Sequence, residues 1–278
     1  MTEQNEMIRR MVAAKGWIFD MDGVLYRGTE HLPGVQDFFD ELGFRGLPFR
    51  LATNNSMATA QEYVQRLAGM QITVTADKIL TSAMATRTWV LEHLGTEARI
   101  HVLGAPSLTT QMLDGTNFTL VDPDNAIPDA VIVGLDREFT YDKLRKAHIG
   151  IMGGAKFVAT NADVTLPTER GLMPGCGTLI AAIAASTGVQ PVVIGKPEVH
   201  LLDAAMSGMG VSAQQTVMVG DRLDTDIVAG HNSGTMTVMV LTGVSTREEI
   251  PTAPVKPDLL FTDLPAMLDA LRAATPVR

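Results

Sequence analysis

The stretch Trp17-Ile-Phe-Asp-Met-Asp-Gly23 decides the interpretation of this 278-residue chain. Its first three residues form a short apolar run, which predicts a buried strand, and two acidic residues with a glycine follow at once. In open parallel sheets, ligands bind beyond the carboxyl ends of the strands. If the sheet is parallel, Asp20 and Asp22 therefore lie at its binding edge.

Alternation of strands and helices along the rest of the chain supports a parallel sheet. Short apolar runs predict further strands at residues 47–52, 191–194, 216–219, 237–241 and 259–261. Segments of helical period predict helices at residues 35–42, 199–209, 227–232 and 265–273. Such alternation is typical of an α/β fold with a doubly wound, Rossmann-like parallel sheet and helices on both faces.

The middle of the chain has an alternation of its own. Apolar runs predict strands at residues 99–103, 119–121, 130–133 and 156–160, with helical stretches between and after them. An insertion of that size with its own sheet is a second domain. We therefore predict a core domain formed by residues 1–82 and 189–278, and an inserted α/β domain formed by residues 83–188.

The amino-acid composition limits which kinds of molecule the protein is expected to bind and where it is expected to be located. Lys and Arg total 22 against 31 for Asp and Glu, so the formal net charge is 22 − 31 = −9. This sign disfavours nucleic acid and anionic membranes, since both require a basic face. The single cysteine, Cys176, excludes an intrachain disulfide and indicates a reducing compartment. With no convincing secretory signal in the first residues, we expect a cytoplasmic protein.

Polar residues follow four of the predicted strands. They are Asp20-Met-Asp22-Gly, Thr53-Asn54-Asn55, Gly195-Lys196-Pro, and Gly220-Asp221 with Asp226. One such cluster is explained by a turn, by a helix cap or by acids favoured at a helix N-terminus. Four clusters, each after its own strand, would converge on one site.

The residue types in these clusters suit phosphate chemistry. Asp20, Asp22 and Asp221 would repel one another unless a cation lies among them, and oxygen ligands favour Mg²⁺. Lys196 can neutralise a phosphate and hold a carboxylate in its ionised form. Thr53 and the backbone amides after it can donate hydrogen bonds to phosphate oxygens. The sequence therefore predicts a phosphate site that contains a nucleophile.

The four clusters, taken in order, resemble the four motifs of the haloacid dehalogenase superfamily. The details are similar to its para-nitrophenylphosphatase branch, which includes sugar and nucleotide phosphatases. That branch carries a large α/β cap, of the type called C2a, between the second and third motifs, where this chain has its insertion. Val133-Gly-Leu-Asp136 and Glu169-Arg-Gly-Leu-Met-Pro-Gly175-Cys-Gly-Thr also resemble the branch. The resemblance covers nearly the whole chain.

The resemblance implies a role for each acidic residue of the core. Asp20 would attack phosphorus and form an aspartyl phosphate. Asp22 would protonate the leaving oxygen and then deprotonate the attacking water. Mg²⁺ would be held by the carboxylates of Asp20 and Asp221 and by the backbone carbonyl of Asp22. Asp226 would support these ligands without touching the metal.

The remaining motif residues would bind the phosphoryl group. The resemblance implies that Thr53, Asn54 and Asn55 hold it and that Lys196 offsets its charge. The sequence gives weaker evidence for substrate contacts from the inserted domain. A role as ordinary polar side chains explains the candidate residues equally well. These candidates are Asp136, Asn161, Asp163 and Glu169.

The acid at position 22 favours hydrolysis of a phosphate ester, since dehalogenases of the superfamily lack it. We expect a small phosphorylated metabolite as substrate, with a sugar phosphate first, and a nucleoside monophosphate or pyridoxal phosphate second. A phosphomutase and a phospho-acceptor signalling domain are the rival functions. The sequence does not decide between a monomer and a homodimer.

Overall fold

The computed structural model describes residues 3–168 and 171–274. In these residues the strands are β1 (Gly16–Phe19), β2 (Tyr26–Arg27), β3 (Glu30–His31), β4 (Phe49–Thr53), β5 (Ile79–Thr81), β6 (Arg99–Leu103), β7 (Thr119–Leu120), β8 (Ala130–Val133), β9 (Lys156–Ala159), β10 (Thr165–Thr168), β11 (Gly171–Pro174), β12 (Val192–Val193), β13 (Thr216–Gly220), β14 (Met236–Val240) and β15 (Leu259–Phe261). The α-helices are α1 (Glu3–Val12), α2 (Val35–Phe44), α3 (Ala60–Gly69), α4 (Ser82–Leu94), α5 (Pro106–Leu113), α6 (Tyr141–Met152), α7 (Cys176–Thr187), α8 (His200–Met209), α9 (Val228–Asn232) and α10 (Leu264–Ala273).

The described residues divide into two compact units. The first lies within Met1–Thr53, Ala60–Leu80 and Lys196–Arg278, and the second within Asn54–Thr59 and Thr81–Gly195. Compared with the domain bounds expected from the sequence, residues 54–59, 81–82 and 189–195 fall in the second unit. The segment that follows Thr53 therefore belongs structurally with the inserted part of the chain.

The sheet of the first unit has the strand order β15-β14-β13-β1-β4-β5. Strand β1 pairs in parallel with β13 on one side and with β4 on the other, and β13, β14 and β15 continue in parallel. The chain builds outward from β1 through β4 to β5, then returns to the other side of β1. This order confirms the predicted doubly wound parallel sheet. Its reversal between β1 and β13 is the topological switch point at which such folds bind ligands.

An aromatic cluster fixes the strand that ends at Asp20. The Trp17 and Phe19 rings of β1 both contact Phe38 of α2 edge-on, with centroids 5.5 and 5.4 Å apart. Phe39 of the same helix stacks on Phe49 of β4 at 4.5 Å. Truncating one such ring in a packed core costs about 3–5 kcal/mol. The cluster therefore holds β1, β4 and α2 in register beneath the binding edge.

The second unit contains its own parallel sheet, in the order β12-β9-β8-β6-β7, and the antiparallel hairpin β10–β11. Its core packs α6 and α7 with the sheet through residues such as Val131, Phe157 and Ile180. The strand predicted at residues 191–194 corresponds to β12, which pairs with β9 in this sheet and not with the core strands. An apolar run predicts a buried strand, but tertiary packing decides which strand it pairs with.

Local details also differ from the expectations. The helix expected at residues 227–232 corresponds to the short α9, and a five-residue π-helix, Leu223–Ile227, precedes it. Among the described residues, no helix combines the length and the apolar character needed to cross a membrane.

Candidate active site

Asp20 stands at the carboxyl end of β1, beside the end of β13. Its backbone N–H donates to the Val219 carbonyl at 2.9 Å, which continues the ladder between these strands and fixes where the side chain begins. The carboxylate is mostly buried, with 14% of the side chain exposed. Its Oδ1 accepts a hydrogen bond from the Lys196 ammonium at 2.5 Å. Hydrogen bonds thus fix both the backbone and the side chain of Asp20.

Lys196 links three parts of the first unit. Its Nζ donates to Asp20 Oδ1 at 2.5 Å and to the Ala52 carbonyl of β4 at 3.1 Å, and it lies 2.7 Å from Asp226 Oδ1. An ammonium has three donors, and the side chain is buried. Lys196 therefore joins β1, β4 and the π-helix through one buried charge.

Asp221 and Asp226 complete the group on the other side of Asp20. Asp226 Oδ2 accepts from the backbone N–H groups of Asp221 and Arg222, each at 3.2 Å. Asp221 Oδ2 accepts from the Val244 N–H at 2.7 Å. The other oxygen of Asp221, Oδ1, is buried and has no hydrogen-bond partner among the described residues. A buried carboxylate oxygen without a partner marks a position where a cation fits.

The three carboxylates form an acidic group. Oxygen atoms of Asp20, Asp221 and Asp226 all lie within 4.8 Å of one another. One cation, Lys196, faces two of these carboxylates. A set of oxygen donors with excess negative charge suits a hard divalent cation. The arrangement therefore fits a metal site, and it contains two of the three residues expected to hold metal, with Asp226 in addition.

Burial and mutual repulsion shift the pKa values in this group. Burial raises the pKa of Asp20 to about 7, although Lys196 acts in the opposite direction. Burial, together with Asp226 and Asp20, raises the pKa of Asp221 to about 8. Burial opposes the charge of Lys196, but Asp20 and Asp226 outweigh it and raise the pKa of the lysine. The three carboxylates outnumber the Lys196 ammonium, and a bound cation would supply further positive charge.

Asp22 stands apart from the acidic group, two residues beyond Asp20. The residue is exposed as a whole, yet desolvation of its carboxyl group raises its pKa, and Arg66 opposes that shift. A raised pKa keeps part of an acid protonated nearer to neutral pH, as a proton donor requires. Gly23 follows at φ +85°, and a Cβ there would collide with the Asp221 carboxylate.

The loop after β14 contributes contacts that the sequence analysis missed. Val244 donates to Asp221, and a Cβ on Gly243 would collide with the same carboxylate. Thr242 Oγ1 donates to the Gly23 carbonyl at 2.6 Å, and Ser245 Oγ accepts from the Leu223 N–H at 3.1 Å. The signal was present in the sequence, because this polar run also follows the carboxyl end of a parallel strand.

The other expected phosphate-binding residues divide between the units. Thr53, the last residue of β4, is buried in the first unit. Asn54 and Asn55 belong to the second unit, where Asn55 Oδ1 accepts from the Met57 N–H at 2.8 Å. Asn161 donates to the Asn54 carbonyl at 2.8 Å, and Asn54 Nδ2 lies 3.3 Å from Asp163 Oδ2.

The remaining candidates of the second unit have different surroundings. Asp136 is buried, its Oδ2 pairs with Lys143 at 2.7 Å, and its Oδ1 accepts from the Glu138 N–H at 2.8 Å. Both of its oxygens thus have partners inside the unit, which favours a structural role. Glu169 lies outside the described residues.

Comparisons with known proteins identify the family. Two family models match: haloacid dehalogenase-like hydrolase over residues 17–119, and HAD-hydrolase-like over residues 193–267. The acid sugar phosphatase of Staphylococcus aureus (strain USA300) is 39% identical over 250 residues, which are 90% of this chain and 95% of that protein. This chain belongs to the haloacid dehalogenase-like hydrolases. The family expected from the four motifs is confirmed.

Solved structures named for nitrophenylphosphatases resemble the chain over nearly its whole length. A double mutant of the thermostable NPPase from Geobacillus stearothermophilus has a TM-score of 0.83 at 38% identity, covering 91% of this chain and 97% of that one. The 4-nitrophenylphosphatase from Thermotoga maritima has a TM-score of 0.86 at 36% identity, covering 95% and 99%. These similarities confirm the para-nitrophenylphosphatase branch.

Proposed function

We propose that the chain is a Mg²⁺-dependent phosphatase that hydrolyses small phosphomonoesters through an aspartyl phosphate on Asp20. One observation carries this proposal. A nucleophilic carboxylate at the switch point of the sheet contacts a buried ammonium and has an oxygen within 4.8 Å of the Asp221 carboxylate. Asp221 Oδ1 has no hydrogen-bond partner in the described part of the chain. Such a site binds a phosphoryl group and offers it a nucleophile.

In the first half-reaction, an oxygen of Asp20 bonds to phosphorus and the bond to the ester oxygen breaks. Asp22 gives its proton to the departing oxygen, so that the substrate leaves as an alcohol. The ion pair with Lys196 favours the ionised form of Asp20 before attack. Its charge also offsets the negative charge on the phosphoryl group.

In the second half-reaction, a water oxygen bonds to phosphorus and the acyl phosphate bond to Asp20 breaks. Asp22, now ionised, takes the proton of that water, which restores both residues and releases inorganic phosphate. Mg²⁺, held by the carboxylates of Asp20 and Asp221 and by the Asp22 carbonyl, would supply Lewis-acid stabilisation of the phosphoryl charge. Asp226 keeps Lys196 charged and braces the Asp221 backbone through its Oδ2.

Thr53, Asn54 and Asn55 are proposed to bind the transferring phosphoryl group, a role that rests on their motif. The proposal extends to the inserted part of the chain, residues 83–188 by the sequence-based bounds, as a cap domain that selects the substrate. A domain built on its own sheet can vary its loops without disturbing the nucleophile.

A sugar phosphate is the proposed substrate. The relatives at 39% identity are named acid sugar phosphatases, and the related structure from Thermotoga maritima is named for nitrophenyl phosphate. A cytoplasmic location is proposed with it, since the lone Cys176 is buried and suits a reducing compartment. Assembly as a homodimer stays a prediction, for which sedimentation is the test.

The experiment is a screen of phosphomonoesters that measures released phosphate. Para-nitrophenyl phosphate and a series of sugar phosphates, nucleoside monophosphates and pyridoxal phosphate are each incubated with the protein and Mg²⁺. We expect turnover that stops with excess chelator and returns when Mg²⁺ is restored, with the highest kcat/KM on a sugar phosphate. Full turnover in excess chelator would refute the metal assignment, and isomerised sugar phosphate without free phosphate would indicate a mutase.

A further inference from the structure

The segment Asn54–Thr59 has a more elaborate set of partners than a helix cap requires. It follows Thr53 directly, yet it belongs to the second unit. The Asn54 carbonyl accepts two hydrogen bonds from side chains of that unit, at 2.6 Å from Ser82 Oγ and at 2.8 Å from Asn161 Nδ2. Ser82 and Asn161 are both buried. Two buried donors thus converge on one backbone oxygen.

The Asn54 carbonyl shares a peptide plane with the N–H of Asn55. Because the peptide unit is planar and trans, fixing the direction of the carbonyl also fixes the direction of that N–H. Backbone N–H groups in this segment are the proposed phosphate donors. Hydrogen bonds to the Asn54 carbonyl, at one edge of the peptide unit, therefore also orient the Asn55 N–H at the opposite edge.

Both donor positions of the Asn161 side chain are engaged in this arrangement. One side-chain N–H donates to the Asn54 carbonyl, and the same amide nitrogen lies 3.4 Å from Thr160 Oγ1. Its Oδ1 accepts from the Asp163 N–H at 3.2 Å. These contacts use both donors and one acceptor position of the amide. Donation of a hydrogen bond from this amide to substrate would have to break one of the two donor contacts.

The N-terminus of α7 supports the loop that carries these residues. The N–H groups of Gly175 and Gly177 donate to the carbonyls of Val164 at 2.7 Å and of Asp163 at 2.9 Å. A Cβ on Gly175 or Gly177 would collide with the backbone of this same loop. The Gly175-Cys-Gly-Thr motif therefore has a physical explanation: its glycines allow the Asn161–Asp163 loop to lie against the helix.

Gly195 adds a close steric contact to the Asn54 side chain. A Cβ there would meet Asn54 Oδ1 at 2.6 Å and the Thr160 carbonyl at 2.7 Å. The Asn54 side chain also has the Asp163 carboxylate next to its Nδ2, at 3.3 Å. Both the backbone and the side chain of Asn54 are thus fixed by residues of the second unit.

We propose that Ser82 and Asn161 are positioning residues that orient the Asn54–Asn55 peptide, and so aim a phosphate-binding N–H, with Asp163 fixing the Asn54 side chain. We call Ser82, Asn161 and Asp163 the Asn54 clasp. The inference rests on the proposed function, because it assigns the clasp to the phosphate subsite. It differs from a substrate-recognising role for Asn161 and Asp163, which would act on the leaving group.

The test compares Asn161→Ala and Ser82→Ala with the control Asn117→Ala, which truncates an exposed asparagine of the same unit. Each protein is assayed with para-nitrophenyl phosphate and a hexose phosphate, and the inhibition constant of inorganic phosphate is measured. For the clasp variants we expect kcat/KM to fall about tenfold for both esters by the same factor, with a matching rise in the phosphate inhibition constant. The control should match the wild type.

Circular dichroism identifies the folded variants, and Ser82→Ala serves alone if Asn161→Ala does not fold. A loss that differs clearly between the two esters while phosphate inhibition is unchanged would overturn the inference, since it would indicate leaving-group contacts. Unchanged kinetics in the folded variants would overturn it as well. If the wild-type protein releases no phosphate from either ester, the proposed function itself fails, and the two failures are thereby distinguished.

Discussion

Asp20 experiences two opposed influences, and their balance defines its chemistry. Burial favours the protonated acid, while the Lys196 ammonium at 2.5 Å favours the carboxylate. Burial prevails and raises the pKa to about 7, so the nucleophile is more easily protonated than an exposed aspartate when no other cation is present. A bound metal would shift this balance towards the ionised form.

Asp20→Asn should abolish turnover and preserve the fold. An amide cannot form the acyl phosphate, so the loss should reach about 10⁴-fold or more. The substitution keeps the size of the side chain and removes one charge from a crowded acidic group. Phosphate release measures the activity, and circular dichroism measures the fold.

The matched control for this change is Asp224→Asn. Asp224 lies on the same polar stretch as Asp226, but its side chain is 68% exposed and pairs with Arg222. An exposed ion pair contributes little to the free energy of unfolding. The variant should therefore fold normally and keep the wild-type rate. An Asp20→Asn protein with a substantial fraction of the parent rate would show that another group attacks phosphorus.

Asp22 has two roles that leaving groups can separate. An alkoxide needs a proton to depart, whereas nitrophenolate is stable enough to leave without one. With Asp22→Asn, a sugar phosphate should therefore fail at the first step. Para-nitrophenyl phosphate should release about one nitrophenolate per chain and then stop, because no base activates water. Rapid-mixing absorbance measures this burst.

Steady turnover of para-nitrophenyl phosphate by Asp22→Asn at the parent rate, without a burst, would contradict the acid–base assignment. The backbone carbonyl of residue 22 is unchanged in this variant, so metal binding should survive. Retained stabilisation by Mg²⁺ in thermal unfolding serves as the control for that point.

At the scale of elements, the acidic group depends on where two strands and one irregular helix end. Asp20 and Asp221 follow adjacent parallel strands, and Asp226 comes from the π-helix Leu223–Ile227. π-Helical turns are rare and often occur at functional sites. Here the turn brings Asp226 Oδ2 within 3.2 Å of the Asp221 N–H.

The pKa values of this group predict how stability depends on pH. The ordinary value for both Asp20 and Asp221 is 3.8, and the folded values are about 7 and about 8. Well below pH 3.8 both groups are protonated in the folded and in the unfolded chain, so they do not change the free energy of unfolding. As the pH rises towards 8, the unfolded chain ionises more readily, so these groups lower the free energy of unfolding of the metal-free protein.

Mg²⁺ should therefore stabilise the protein more at pH 8 than at pH 5, because it binds the ionised carboxylates. Asp221→Asn should raise the melting temperature of the metal-free protein at pH 8, by about 2–4 °C for each kcal/mol regained. The same variant should lose most of the gain from Mg²⁺. Thermal unfolding at both pH values, with and without Mg²⁺, measures these effects. Equal stabilisation of wild type and variant would place the metal elsewhere.

The sequence predicted some elements of this site and not others, for physical reasons. Motifs after β1 and β13 were identified because polar residues interrupt apolar runs at the carboxyl end of each strand. The sequence predicted a supporting role for Asp226 but not its individual contacts, since its position depends on a π-helical turn that no periodicity reveals. The loop after β14 carries the same positional signal, but the sequence does not single out the Val244 N–H within it, because a backbone donor has no residue-specific signal.

At the scale of the whole molecule, the sequence predicted two sheets because each strand shows as a short apolar run, which is a property of neighbouring residues. The order of strands and the division into units depend on distant contacts. Residues 191–194 illustrate this: the run is apolar, as a strand requires, but β12 pairs with β9 of the second sheet. Residues 54–59 are a second case, since side chains far along the chain hold them in the second unit.

The central claim is that Asp20 carries the phosphoryl group during turnover. The most direct measurement is mass mapping of the Asp22→Asn protein after acid quench from para-nitrophenyl phosphate and Mg²⁺. The account predicts one phosphoryl group per chain, on the peptide that contains Asp20, and none in the Asp20→Asn protein treated in the same way. Phosphate release by the wild-type protein together with a phosphoryl group on a different residue would contradict it.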